Sequence, residues 1–281
     1  MIRERIRGVK NHAMVALLAV AVVLALLPLG FILANLVVKG ASSLDWNFFT
    51  RLPVPAGESG GGVYHAIIGT LIIVGVASVI GLPVGIGAGI FCAEYPGHRL
   101  ASITRFVSDV MNGTPSIVVG VFAWTWIVAR QKHFSGLAGG VALALIMIPM
   151  VARTTEEMIR LVPSALREAA LGLGISRWRT GLTIILRTAL PGVVTGSLLA
   201  IARVSGETAP LLFTALGSQY LVFDVRQPMA ALPLVVYTYA NGPYEDWHRM
   251  AWAASLVLLL VVLILSVGAR LATRRRSSHR A

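Results

Sequence analysis

The sequence predicts an all-α, polytopic membrane protein of about six transmembrane helices, and three observations carry that expectation. First, hydrophobic residues make up 56% of the 281 positions and charged residues only 13%, with a mean hydropathy of +0.78. A soluble domain of this length needs less apolar material for its core. Second, the apolar residues gather in blocks close to the ~20 residues that cross a ~30 Å hydrocarbon layer as helix. They fall at about 14–38, 66–92, 106–129, 137–158, 188–216 and 251–271. Third, Lys and Arg alternate in density between successive connections, as expected when short basic loops stay cytoplasmic. With both termini inside, the inner segments hold seventeen Lys and Arg and the outer segments six, with Arg203 left within the membrane.

Taken in order, residues 1–13 form a basic, cytoplasmic N-terminus carrying Arg3, Arg5, Arg7 and Lys10. The first apolar block follows it as a signal peptide would. Its run is longer than an h-region and no small-residue cleavage site follows closely, so it reads as an uncleaved helix. The second block contains Gly85, Gly87 and Gly89. Inside a membrane helix such small residues let a neighbouring helix approach, which fits better than a phosphate-binding loop. The third block is interrupted by "NGTPS" at 112–116. Thr114 before Pro115 reads as N-cap and first helical residue, so the amides around Ser116 would form a positive helix end able to favour an anion. A simple kink re-satisfied by hydroxyls reads equally well.

After the fourth block comes the longest inner loop, 159–187, containing "VPSALREAALGLGISRWRTG". Ser164 can cap a helix through Ala165, Leu166 and Arg167, and Gly174 can take the left-handed conformation that ends it. The fifth block carries Arg203 and Glu207 between Pro191, read as a break, and Gly217, which puts Arg203 near the midplane. A charge at that depth costs about 2.5–3.5 kcal/mol on insertion scales. Residues four apart share a helix face, so the two can neutralise each other as helix-packing glue. Gly206 and Pro210, however, interrupt the helix as transporters do near a midplane site. A guanidinium fork also suits an oxyanion. The two readings are compatible. Residues 217–250 are read as outward-facing, and 272–281 as a basic cytoplasmic tail after the sixth block.

Several chemistries are disfavoured. Cys92 is the only cysteine and six histidines are scattered without ligand spacing, so neither a disulfide nor a metal centre is expected. No GxxxxGK[ST] occurs, and the lysines Lys10, Lys39 and Lys132 lie outside any phosphate-cradling loop. Any ATP that drives this chain must be hydrolysed elsewhere. The net charge of +12 reads as a topology signal and a match to anionic headgroups. Without a basic stripe interleaved with aromatics, no nucleic-acid partner is expected.

Glu168-Ala169-Ala170, three residues, Gly174, nine residues and Ile184 resemble the EAA motif of ABC-importer permeases. In that family the loop docks a cytoplasmic ATPase, which implies ATPase-coupling roles for Arg167, Glu168, Ala169, Ala170, Gly172 and Gly174. One departure is Ile184-Ile185-Leu186-Arg187, where the family pattern ends in Pro. "GTPSIVVGVFAW" (113–124), "HFSG" (133–136), "RTTEEM" (153–158), "LLAIARVSGETAPLLFTAL" (198–216) and "ALPLVVYTYA" (231–240) are similar to PstA-type membrane subunits of phosphate ABC importers. The resemblance runs from about residue 60 to 271. It implies the type I importer permease (MetI-like) fold in a bacterial inner membrane, inorganic phosphate as substrate, and Arg203, Glu207, Thr208, Thr114 and Ser116 along the substrate path. It also implies a PstC-type second permease, a PstB-type ATPase dimer that uses ATP and Mg, and a PstS-type phosphate-binding protein. This chain itself would bind no cofactor. Permeases for sulfate, molybdate or phosphonate, and a secondary anion transporter working alone, are the alternatives.

Overall fold

The protein is described by a computed structural model covering residues 2–55, 58 and 60–277. The last four residues of the expected tail, 278–281, lie outside the described residues. The helices are α1 (Ile2–Ala41), α2 (Trp46–Thr50), α3 (Tyr64–Glu94), α4 (Arg99–Gly113), α5 (Ser116–Ala123), α6 (Ala129–Gln131) and α7 (Gly136–Arg160). They continue as α8 (Ser164–Gly172), α9 (Arg177–Arg179), α10 (Leu186–Val204), α11 (Ala209–Thr214), α12 (Leu232–Ala240) and α13 (Glu245–Ser277). π-Helical turns at Trp124–Val128 and Thr180–Ile185 join α5 to α6 and α9 to α10. No strand occurs among the described residues.

Five stretches are long and apolar enough to cross a membrane: Lys10–Ala41, Tyr64–Glu94, Gly136–Arg160, Arg177–Val204 and Glu245–Gly268. A sixth is broken, because Arg99–Gly113 and Ser116–Gln131 meet at 105°. The all-α, multi-span architecture is therefore the one expected, with two local corrections. The block at about 106–129 is an elbow at Thr114–Pro115 rather than one straight rod. Pro191, read as a break, lies inside α10. Proline removes one backbone donor, yet apolar packing and nearby hydroxyls hold such helices together. The Thr195 hydroxyl donates to the Pro191 carbonyl at 2.9 Å.

The centre of the bundle is α3 against α7. Glycines on one face of α3, four residues apart, admit the partner helix: a Cβ at Gly85 would lie 2.8 Å from Val151 Cβ, and one at Gly89 would lie 2.6 Å from the Ala152 carbonyl oxygen. Gly87 points away, with nothing within 4 Å. The packing reading of this glycine run thus holds at Gly85 and Gly89. Ile73, Leu143, Met147, Val151, Val204 and Leu211 fill the adjoining core. A second cluster, including Phe48, Val63, Leu232 and Ala253, ties α2 and α12 to α3 and α13. There Thr70 Oγ1 accepts from the Leu232 amide at 2.8 Å while donating to the Ala66 carbonyl at 2.7 Å. By contrast, α1 touches the bundle near its end, where Gly40 meets Leu256 and Trp252, and its side chains from Met14 to Phe31 are exposed.

Overpacking a tight contact of this kind costs about 1–3 kcal/mol, sometimes more. Gly89→Val is therefore expected to lower both membrane abundance and the unfolding temperature in detergent, whereas Gly87→Val leaves both near the unaltered values. Equal effects at the two positions would show that Gly89 does not set the α3–α7 spacing.

Candidate anion cavity and coupling loop

Helix α10 cannot run on into α11. Gly206 is a weak helix former, and Pro210, with no N–H, would clash with the carbonyl one turn earlier. The helix consequently ends at Val204, with Arg203 in its last turn. The chain then turns through Ser205–Thr208, the Gly206 amide bonding to Arg203 O at 3.1 Å and the Glu207 amide to Val204 O at 3.2 Å. Pro210 lies in the first turn of α11, where its missing donor is harmless. Glu207 thus leaves the helix that carries Arg203. Among the described residues no ion pair joins the two, which corrects the expectation that their spacing places them on one helix face.

Both instead line a cavity of about 210 Å³, together with Met111, Asn112, Thr114, Pro115, Ser116, Ile146 and Met150. Four of the five path residues named from the sequence, Arg203, Glu207, Thr114 and Ser116, therefore share one space, although the chain separates them by nearly ninety positions. Thr208 sits in the adjacent turn and is not part of the lining. A close approach makes this possible: a Cβ at Gly120 would lie 2.6 Å from Pro210 Cα, so α5 can rest directly on α11. Asn112, Met111, Ile146 and Met150 were not singled out from the sequence. Asn112 could have been, since it belongs to the same polar interruption.

The elbow itself differs from expectation. Thr114 caps the end of α4 in extended conformation and its hydroxyl donates to Val110 O at 2.8 Å. Pro115 takes the N-cap position and Ser116 opens α5, with no side-chain cap. Proline fixes φ but leaves ψ free, and ψ of 135° at Pro115 excludes it from the helix. The first amides of α5 still begin beside the cavity, as the opening amides of any helix lack intrahelical acceptors.

At the end of the bundle, α8 follows Pro163, which occupies the N-cap place expected for Ser164. Its other end is as expected. Gly174 has φ +79°; its amide bonds to Leu171 O at 2.9 Å and the Ile175 amide to Ala170 O at 3.1 Å, the paired bonds of a Schellman turn. Ala170 is buried, while Glu168, Ala169, Gly172 and Gly174 are exposed. Leu173, at the end of α8, and Trp178, on α9, are 81% and 58% exposed, two apolar side chains not singled out from the sequence. Arg167 turns inward and donates from Nη2 to Glu94 Oε1 at 2.8 Å.

Residues 85–278 match the family described as "Binding-protein-dependent transport system inner membrane component". The phosphate transport system permease protein PstA of Haemophilus influenzae is 46% identical over 94% of this chain and 94% of its own. The chain belongs to the PstA family of these permeases. Two solved structures share its fold. An inward-facing MetNI methionine ABC transporter matches with TM-score 0.63 and 18% identity, over 76% of this chain and 95% of that one. A bacterial alginate ABC transporter in complex with an alginate-bound periplasmic protein matches with TM-score 0.67 and 14% identity, over 95% of each. At such identities the likeness concerns fold alone, and it is the MetI-like permease fold expected.

Proposed function

We propose that this chain is one of the two permease subunits of an ATP-driven importer that moves inorganic phosphate across the bacterial inner membrane. The observation that carries the reading is the cavity, whose lining brings Arg203 together with Glu207, Thr114 and Ser116 while no ion pair joins Arg203 to the carboxylate among the described residues. A guanidinium offers planar paired donors to an oxyanion, and hydroxyls add further donors. A path must attract an anion without trapping it. Glu207 beside Arg203 tempers the positive potential and so favours release. The PstA relatives supply the choice of phosphate among oxyanions.

In this reading a PstC-type permease completes the path and a PstS-type binding protein delivers phosphate from outside. A PstB-type ATPase dimer rests on α8 through Glu168, Leu173 and Trp178. The chain binds no cofactor of its own; ATP and Mg belong to the ATPase. Co-reconstitution of the four components in liposomes tests the proposal. Phosphate uptake that requires both ATP and the binding protein is expected. Uptake of sulfate or molybdate instead would assign another oxyanion, and uptake without the ATPase would assign a carrier working alone.

The excess of Lys and Arg on alternate connections supports an orientation with both termini in the cytoplasm and 217–250 outside. Single cysteines at Ser42, Ser218 and Ser277 on a Cys92→Ala background report this. An impermeant thiol reagent on intact cells is expected to label the first two and spare the third. The reverse pattern would invert the topology.

A further inference from the structure

The buried charges on the α8 side of the bundle are more than helix glue. Arg105, on α4, directs one donor from each guanidinium nitrogen to a different place: α7, the end of α3 and the connection that follows α3. Nε donates to Glu156 Oε1 on α7 at 2.7 Å, Nη2 to the Cys92 carbonyl at the end of α3 at 2.7 Å, and Nη1 to the Pro96 carbonyl at 3.2 Å. Two residues beyond Cys92, Glu94 holds Arg167 of α8. Arg167 Nε and Glu94 Oε2 are buried with no protein partner among the described residues.

The same two helices carry one wall of the cavity. Met111, Asn112 and Thr114 close α4, and Ile146 and Met150 lie on α7. Between clamp and cavity, Arg153 on α7 forks onto Asp109 on α4 at 2.7 and 3.0 Å. Any displacement of α8 thus reaches the cavity wall through short, charge-assisted contacts, which are shorter and stronger than neutral hydrogen bonds. Simple packing glue would explain one ion pair between α4 and α7. It does not explain an arginine divided among three places with the α8 tether two residues away.

We propose that Glu94 and Arg105 form the joint that carries movement of α8 to the wall of the anion cavity, so that both are positioning residues for transport. The inference rests on the reading of α8 as the ATPase dock. The test uses the complete reconstituted importer with inorganic phosphate, comparing uptake with binding-protein-stimulated ATP hydrolysis, each per assembled complex. Arg105→Lys keeps a cation beside Glu156 but loses the divided fork; Glu94→Gln removes the charge that holds Arg167. Couplings between sites are typically about 5–150-fold, so each variant is expected to lower uptake by about tenfold while hydrolysis stays within about twofold. Exchanging the charges, with Glu94→Arg and Arg167→Glu together, is expected to restore part of the uptake that Glu94→Gln removes. A parallel fall in uptake and hydrolysis, or uptake unchanged in both single variants, would overturn the joint. Failure of the unaltered complex to take up phosphate would instead overturn the importer reading.

Discussion

Arg203→Gln is expected to bring ATP-driven phosphate uptake down by about 100-fold while the assembled complex stays at its normal level in the membrane. Hydrogen bonds to charged groups contribute about 1.5–3 kcal/mol each. Removing a two-pronged hydrogen bond from guanidinium to anion therefore accounts for that magnitude, since about 1.4 kcal/mol is tenfold. Arg203→Lys retains the charge without the planar fork, so partial uptake is expected, about tenfold below normal. The structure sharpens the comparison with the double change. If Arg203 and Glu207 were a buried pair holding helices together, removing both would be neutral or stabilising, and uptake would return. They line one cavity and no ion pair joins them among the described residues, so Arg203→Gln with Glu207→Gln is expected to remain as inactive as Arg203→Gln alone. Labelled-phosphate uptake in cells lacking other phosphate carriers, with membrane abundance measured in parallel, decides between them. Near-normal uptake by the double variant would reduce the pair to packing.

How far the sequence could be read depends on the range of the interaction involved. The apolar blocks are local, and all of them are helical, although those at about 106–129 and 188–216 are each broken in two. Gly85 and Gly89 are likewise local, because a four-residue repeat marks a helix face whatever packs on it. The two prolines show where local reading fails. Pro191 and Pro210 look alike as helix breakers, yet only the second accompanies a break. Gly206, four residues before Pro210, removes helix propensity at the position whose carbonyl the ring would crowd. Packing of α10 against α7 and α13 keeps the helix intact past Pro191. Because the break falls at 205–208, the four-residue spacing of Arg203 and Glu207 has no helical meaning, while both still reach one cavity. The pairing of Arg167 with Glu94, 73 residues apart, and the approach of Gly120 to Pro210 leave no trace in local pattern. They are visible only in the fold, which turns Arg167, grouped by the family resemblance with Glu168 and its neighbours, inward to Glu94.

Gly174→Val, alone or with Glu168→Lys, is expected to bring uptake to background by a different route. At φ +79° a left-handed backbone costs an ordinary L-residue roughly 1–2 kcal/mol, and β-branching makes the conformation a true outlier. The strain would fall on the turn whose bonds from Gly174 and Ile175 close α8, so Leu173 and Trp178 would no longer be presented beside Glu168. An added side chain at Gly174 does not crowd the bundle, since nothing lies within 4 Å of a Cβ there. The chain should therefore still reach the membrane and join its partner permease. What disappears is retention of the ATPase during purification in mild detergent and, with it, stimulated hydrolysis. Asn tolerates the left-handed region better than other non-glycine residues, so Gly174→Asn is expected to keep a measurable part of both. That ordering, Gly above Asn above Val, ties the effect to backbone conformation. Full ATPase retention and uptake with Gly174→Val and Glu168→Lys combined would make 164–174 an ordinary connection and remove the coupling role.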